Sequence, residues 1–223
     1  MTKPTLVIGN KNYSSWSMRG WLLLRGFGID FDEVQLKFHT AGWNANIGLW
    51  SPSGLVPVLW LGGEPVWDTL AIAETVAERW PEKNVWPQDA RARAVGRSIS
   101  AEIHAGFHAL RQAMPMNIRG SYPGRAMSPE VAKDIDRILA NWTTCRERFG
   151  QGGALLFGAF TAADAFYAPV ATRFMTYGVR LPDVARRYVD AVLALPAVRE
   201  WSAAARAEPE VIAAEEPYAH HYP

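Results

Sequence analysis

Two adjacent serines, Ser14 and Ser15, lie in the stretch NKNYSSWSMRG, where a short apolar run, TLVIG, gives way to a helical pattern. A hydroxyl at a helix start can cap the helix by accepting one of its unpaired backbone N–H groups. It can also join those groups in holding an anion at the positive end of the helix. Asp68 and Thr69 repeat the theme at the head of the apolar helical run LAIAETVAERW, where a hydroxyl and the first helical N–H groups suit a carboxylate or simply cap. His104 and His108, four apart, share a helix face with Phe107 and Arg111. That spacing suits a metal, but no third ligand accompanies it, so none is expected. Arg173 and Tyr177 are also four apart, and Arg173 suits either a carboxylate ligand or an interhelical ion pair.

Other chemistries are disfavoured. No G-x-S-x-G turn surrounds the serines, which argues against a serine hydrolase. The glycine-rich GQGG (150–153) follows no strand and is not a phosphate loop. A single cysteine, Cys145, excludes an internal disulfide framework and a Cys-rich metal site. Basic and acidic residues number 23 and 22 with no long block of either sign, which argues against a nucleic-acid partner. There is no signal-like start and no apolar run of about 18 residues, so a cytoplasmic protein away from membranes is expected. The ten tryptophans read as core or groove walls, and the closing AHHYP as a tail.

The elements that must position these residues fall into two groups. TLVIG and DFDEVQL read as strands around a helix from Ser15 to about Phe27, a βαβ unit with a parallel pair. A loop with a short helix near Trp43–Leu49 leads to a hairpin, Val56–Leu61 and Pro65–Trp67 about Gly62-Gly63, and then to a helix ending at Trp80. The order β-α-β-loop-β-β-α gives a mixed four-stranded α/β domain over residues 1–81. PEKNVWPQD reads as a linker, and residues 89–223 as an all-α domain. There the segment from Ala90 to Met114 reads as one long helix, and Ser128 with Pro129 opens another. Thr161 and Asp164 form a capping box after Phe160, and Pro169 should kink the helix that follows.

This order, with four motifs, resembles the cytosolic glutathione S-transferase superfamily in its bacterial, zeta-like, serine-type form, along essentially the whole chain. SSWSMR resembles the SSC-x-x-R stretch of zeta-class members, with Trp16 where they have cysteine; LVPVL, WDTLAIAETV and GAFTAADAFYAPV match the other three. The resemblance implies a thioredoxin-like first domain that binds glutathione as co-substrate. Ser14, with Ser15 close behind, would hold the glutathione sulfur as thiolate. A thiol of pKa near 8.5 is about 3% ionised at pH 7. Lowering that pKa by about two units takes about 2.7 kcal/mol, within reach of one hydrogen bond to a charge plus a helix terminus.

By the same resemblance Val56, before a cis Pro57, would pair with the cysteinyl peptide, Asp68 and Thr69 would hold the γ-glutamyl end, and Lys37 would approach the glycyl end. His104, Phe107, His108, Arg111, Arg173 and Tyr177 would line the cleft for a small electrophile. Conjugation is the leading activity implied, against glutathione-dependent isomerisation or non-catalytic binding of apolar ligands. A homodimer is implied as well.

Overall fold

The computed structural model describes residues 2–219, so the histidine pair of AHHYP lies outside the described residues. β1 (Thr5–Ile8) is one of the two inner strands of a four-stranded sheet of order β2-β1-β3-β4. Leu6, Val7 and Ile8 are fully buried, as a strand covered on both faces requires. The chain crosses through α1 (Ser15–Arg25) to β2 (Asp32–Gln35), which pairs in parallel with β1. After α2 (Ala41–Trp50), the hairpin of β3 (Val58–Leu61) and β4 (Glu64–Trp67) adds antiparallel to the other edge of β1. α3 (Thr69–Arg79) completes the thioredoxin-like unit. β3 is shorter than the expected Val56–Leu61, with Val56 and Pro57 standing just before it, and β4 starts one residue earlier than the expected Pro65.

A 3-10 turn at Pro81–Lys83 leads into helices only. Trp86 of this connection is buried, and the Val85 carbonyl accepts from Ala162 N–H at 2.7 Å. The single long helix expected from Ala90 to Met114 is two, α4 (Ala90–Ala105) and α5 (His108–Ala113). Gly106 is extended and Phe107 left-handed (φ 55°), and the Asp134 carboxylate accepts from Leu110 N–H at 3.0 Å to fix the new direction. His104 and His108 therefore share no helix face. α6 (Pro129–Phe149) starts at the Ser128 cap. α7 (Ala162–Thr176) starts at the Thr161–Asp164 capping box and contains Pro169; every residue of it but Met175 is buried. α8 (Asp183–Ala194) and α9 (Pro196–Ala207) follow.

α7 packs against α1 and α4, so one apolar core runs through both parts of the chain. Trp142 lies fully buried among the rings of Tyr167, Phe174 and Tyr188, and Trp201 packs on Trp21. Beyond α9 the segment 208–219, with a 3-10 turn at Ala213–Glu215, returns across the sheet domain. There the buried Glu208 carboxylate accepts from the N–H groups of Lys11 and Asn12 at 2.8 and 3.0 Å. Among the described residues no helix is long and apolar enough to cross a membrane.

Candidate active site

The first turn of α1 settles what each serine does locally. Ser14 is the N-cap: its Oγ accepts from Ser17 N–H at 3.2 Å and donates to Ser17 Oγ at 2.8 Å. Ser17 Oγ accepts in turn from Gly9 N–H at 2.9 Å, which ties the helix to β1. The Ser14 hydroxyl is thus engaged within the protein. Ser15, one residue into the helix, makes no side-chain hydrogen bond among the described residues, and both serines border a cavity.

Two chambers meet at this turn, divided by the Trp16 indole, which lines both. The first, about 440 Å³, lies between Trp16, the cis Val56–Pro57 bond, Trp67, Asp68 and Thr69. Val56 N–H and C=O make no hydrogen bond among the described residues, so they face the chamber as an unpaired strand edge would. Gly20 permits the approach of α1, because a Cβ there would lie 2.8 Å from Pro57 Cγ. Asp68 (φ 70°) caps α3 by accepting from Leu70 N–H at 2.9 Å, and Thr69 is fully buried beside it.

The second chamber, about 390 Å³, is bordered by the two serines, Tyr13, His108, Arg111 and Arg173. It is cationic. Arg173 is buried, its Nε donates to Met114 O at 2.8 Å, and burial, then the nearby Arg111, lowers its pKa to about 10. Arg111 lies over the Trp16 ring at 4.8 Å and is also lowered by burial. Arg19 lies over the same ring at 4.5 Å, fully buried, with Nε and one terminal nitrogen unpartnered among the described residues. Burial first, then Arg111 and Arg173, brings Arg19 down to about 9. None of the three arginines is within 4.0 Å of a carboxylate among the described residues. Arg111 and Arg173 border the chamber together with Glu215, and Arg19 lies buried against the Trp16 ring, so guanidiniums outnumber carboxylates and the surroundings favour an anion.

The structure thus gathers Ser14, Ser15, Val56, Pro57, Asp68, Thr69, His108, Arg111 and Arg173 at one place. Four other expected residues sit elsewhere. Lys37 pairs with Glu208 and Glu210 at 2.8 and 3.3 Å and borders neither chamber. Phe107 is buried at the α4–α5 break. Tyr177 is buried with its hydroxyl donating to Pro115 O at 3.1 Å, so it supports the wall of the cleft from behind. His104 turns to Asp68 and Thr69 and does not border the second chamber, because α4 ends one turn before it. The interhelical ion pair considered for Arg173 does not form among the described residues. Arg19 and Glu215, which borders the second chamber near Arg173, were missed. Arg19 stands inside SSWSMR, and an arginine four residues past Ser15, ahead of the apolar run WLLL, was the available signal. Glu215 carried none, being far along the chain. Among the described residues no group of three or more His, Cys, Asp or Glu side chains is arranged to hold a metal ion.

The model of the glutathione S-transferase N-terminal domain matches residues 13–79, and that of the C-terminal domain matches 128–204. Maleylacetoacetate isomerase of Rattus norvegicus is 31% identical over 112 residues, which are 49% of this chain and 51% of that protein. A zeta-class glutathione S-transferase of Euphorbia esula is 25% identical over 167 residues, 74% and 71% of the two chains. The chain thus spans about half the length of the rat relative. A Burkholderia glutathione transferase homolog solved with bound glutathione superposes with a TM-score of 0.70 at 22% identity, over 93% of this chain and 100% of that one. A diazinon-metabolizing glutathione S-transferase of Bombyx mori gives 0.70 at 16% identity, over 92% and 98%. At such identities the structural likeness speaks for the fold.

Proposed function

The chain belongs to the glutathione S-transferase superfamily, and on that premise we propose that it binds glutathione in the first chamber and delivers its thiolate to a small anionic electrophile in the second. The observation that carries this reading is Ser15: a hydroxyl without a protein partner, on the first turn of a helix, where the two chambers meet. The Val56 peptide edge would pair with the cysteinyl unit, and Asp68, Thr69 and the first turn of α3 would hold the γ-glutamyl end. The sulfur then lies at the head of α1. There the Ser15 hydroxyl donates to it, with the helix terminus and the guanidiniums of Arg19 and Arg111 adding positive potential. Ser14, as the cap, holds the turn in shape. The arginines orient the electrophile through its carboxylate, so the anion is bound next to the nucleophile.

The experiment is a pH titration of bound glutathione, followed by its ultraviolet thiolate absorbance, in the wild type and in Ser15→Ala and Ser14→Ala. Ionisation well below the free thiol's pKa in the wild type, lost in Ser15→Ala, is expected. Binding of an ordinary thiol in all three proteins would overturn the reading and leave a non-catalytic binding protein.

Isomerisation is the second reading, favoured by the cationic chamber and by the rat relative named for that reaction. In it the thiolate adds to the electrophile, a bond in the adduct rotates, and the thiolate leaves. Full recovery of glutathione marks isomerisation, and a stable thioether marks conjugation.

The same reading includes a sheet domain over 1–81, a helical domain over 89–223, a cytoplasmic location and a homodimer. Exposed Leu55 and Trp67 border the first chamber, and a second copy would cover them. Sedimentation at the mass of a single chain would refute the dimer.

A further inference from the structure

We propose that the chain carries a separate binding site, between α7 and α9, for a small organic anion with an apolar body. The site is a cavity of about 380 Å³, lined also by Ile118 and Gly120 of the connection after α5. α7 divides it from the second chamber. Arg173 borders that chamber, whereas Thr172, Met175 and Thr176 of the same helix line this cavity. The connection divides likewise, with Met116 on one side and Ile118 on the other, and the two cavities share no lining residue.

Arg199, Ser202 and Arg206, at spacings of three and four, share one face of α9 and line the cavity. Both arginines are exposed, and neither has a carboxylate within 4.0 Å among the described residues. Ser202 is only 9% exposed, yet its hydroxyl has no hydrogen-bond partner among the described residues. A serine inside a helix can turn its proton back to the carbonyl four residues earlier, as Ser98 does to Ala94 O at 3.0 Å. Ser202 makes no such bond, so its proton is free for the cavity.

On the α7 side the hydroxyl protons are already committed. Thr172 donates to Pro169 O at 2.9 Å, and Thr176 Oγ1 lies 2.9 and 3.1 Å from the carbonyls of Asn117 and Thr172. The side-chain donors left to a ligand therefore sit on α9: one hydroxyl between two guanidiniums. No aspartate or glutamate lines the cavity. A third guanidinium, Arg186, stands at Met175, donating to its Sδ at 3.7 Å, and it too has no carboxylate within 4.0 Å among the described residues. Such a field favours an anion, and the forked donors of arginine match the oxygens of a carboxylate or sulfonate. Ile118, Leu193 and Met175 supply apolar wall for the rest of the ligand. Met175 is 48% exposed, and its flexible thioether can fold over a ring or a short chain.

The probe is naphthalene-2-sulfonate, with naphthalene-2-methanol as its neutral counterpart. Each is titrated calorimetrically into the full chain, with and without saturating S-hexylglutathione, which on the transferase reading fills both chambers. Expected is sulfonate binding that persists beside S-hexylglutathione and is at least about tenfold tighter than that of the alcohol. Arg199→Gln, Arg206→Gln and Ser202→Ala should each weaken it about three- to tenfold, and Arg199→Lys less, because the charge remains. Arg173→Leu should leave it unchanged, and the α9 variants should turn over substrate as the wild type does. Displacement by S-hexylglutathione, indifference to the α9 substitutions, equal binding of the alcohol, or no binding of the sulfonate at millimolar concentration each overturns the proposal. Failure of the wild type to bind glutathione would end the transferase reading alone, since the α9 variants still decide this one.

Discussion

At the scale of single residues, Ser14 caps α1, and the proposed function gives ligand contact to Ser15. Ser14→Ala is expected to lower stability by about 1 kcal/mol, the usual cost of a lost N-cap, and to leave most of the thiol shift in place. Ser15→Ala should leave stability nearly unchanged and raise the pKa of bound glutathione by about one to two units, since a hydrogen bond to a charge contributes about 1.5–3 kcal/mol. Equal thiol shifts in the two variants would reject that division. Arg173 is the counterpart in the second chamber, which the proposed function gives to the electrophile. Arg173→Leu should raise KM at least about tenfold for a carboxylate-bearing electrophile and leave a neutral one within about twofold, because only the anion loses a charged partner. A parallel loss for both substrates would show that Arg173 merely props up the cleft through Met114.

At the scale of elements, two carboxylates hold segments in place and respond to pH with opposite signs. Asp164 accepts from Leu156 and Thr161 N–H at the head of α7, yet burial raises its pKa to about 6. An unfolded aspartate titrates near 3.9. Between about pH 4 and 6 the folded chain therefore binds the proton better, and this residue's contribution to stability falls as pH rises. Asp164→Asn, which does not titrate, should gain on the wild type across that window, by up to about 3 kcal/mol. Urea midpoints of both proteins at several pH values check this, and a difference independent of pH would refute it.

Glu208 behaves the other way. Burial works to raise its carboxyl, but Lys37 and the N–H groups of Lys11 and Asn12 hold it below its usual value. Its contribution is present above the unfolded value near 4.3 and is lost as pH falls through the folded one. Glu208→Ala strands those buried donors and releases Lys37, so a loss of about 2–4 kcal/mol is expected. Segment 208–219 should then become the first site of proteolysis; unaltered cleavage and melting would contradict that role.

At the scale of the whole molecule, the site exists only because α7 joins the two parts of the chain. α1 carries Ser15, Trp16 and Arg19, and it packs on α7, which carries Arg173. The returning segment closes the same cleft: Tyr13 hydroxyl donates to Glu216 at 2.5 Å, and Tyr218 hydroxyl donates to Ala113 O at 2.9 Å. Most elements were legible in the sequence because their signals are local. TLVIG is a run that only a buried strand accommodates, Ser128-Pro129 is a helix start, and Thr161 with Asp164 is a capping box whose groups meet within one turn. The long helix from Ala90 failed on equally local ground. Gly106 is a weak breaker that an apolar periodicity overrode, whereas packing of α5 on α6 decided the break.

The sequence by itself determined the order of elements, the family, and the residues held at helix starts, since each depends on neighbours a few positions away. Only the tertiary structure decided that the Ser14 hydroxyl is engaged with Ser17, that Lys37 is taken by Glu208 and Glu210, and that His104 meets Asp68 and Thr69. It also decided that Arg19, Arg111 and Arg173 gather with no carboxylate within 4.0 Å among the described residues. Those outcomes depend on side chains brought together from far along the chain, and a hydroxyl, an imidazole or a guanidinium takes its role from the partners that surround it.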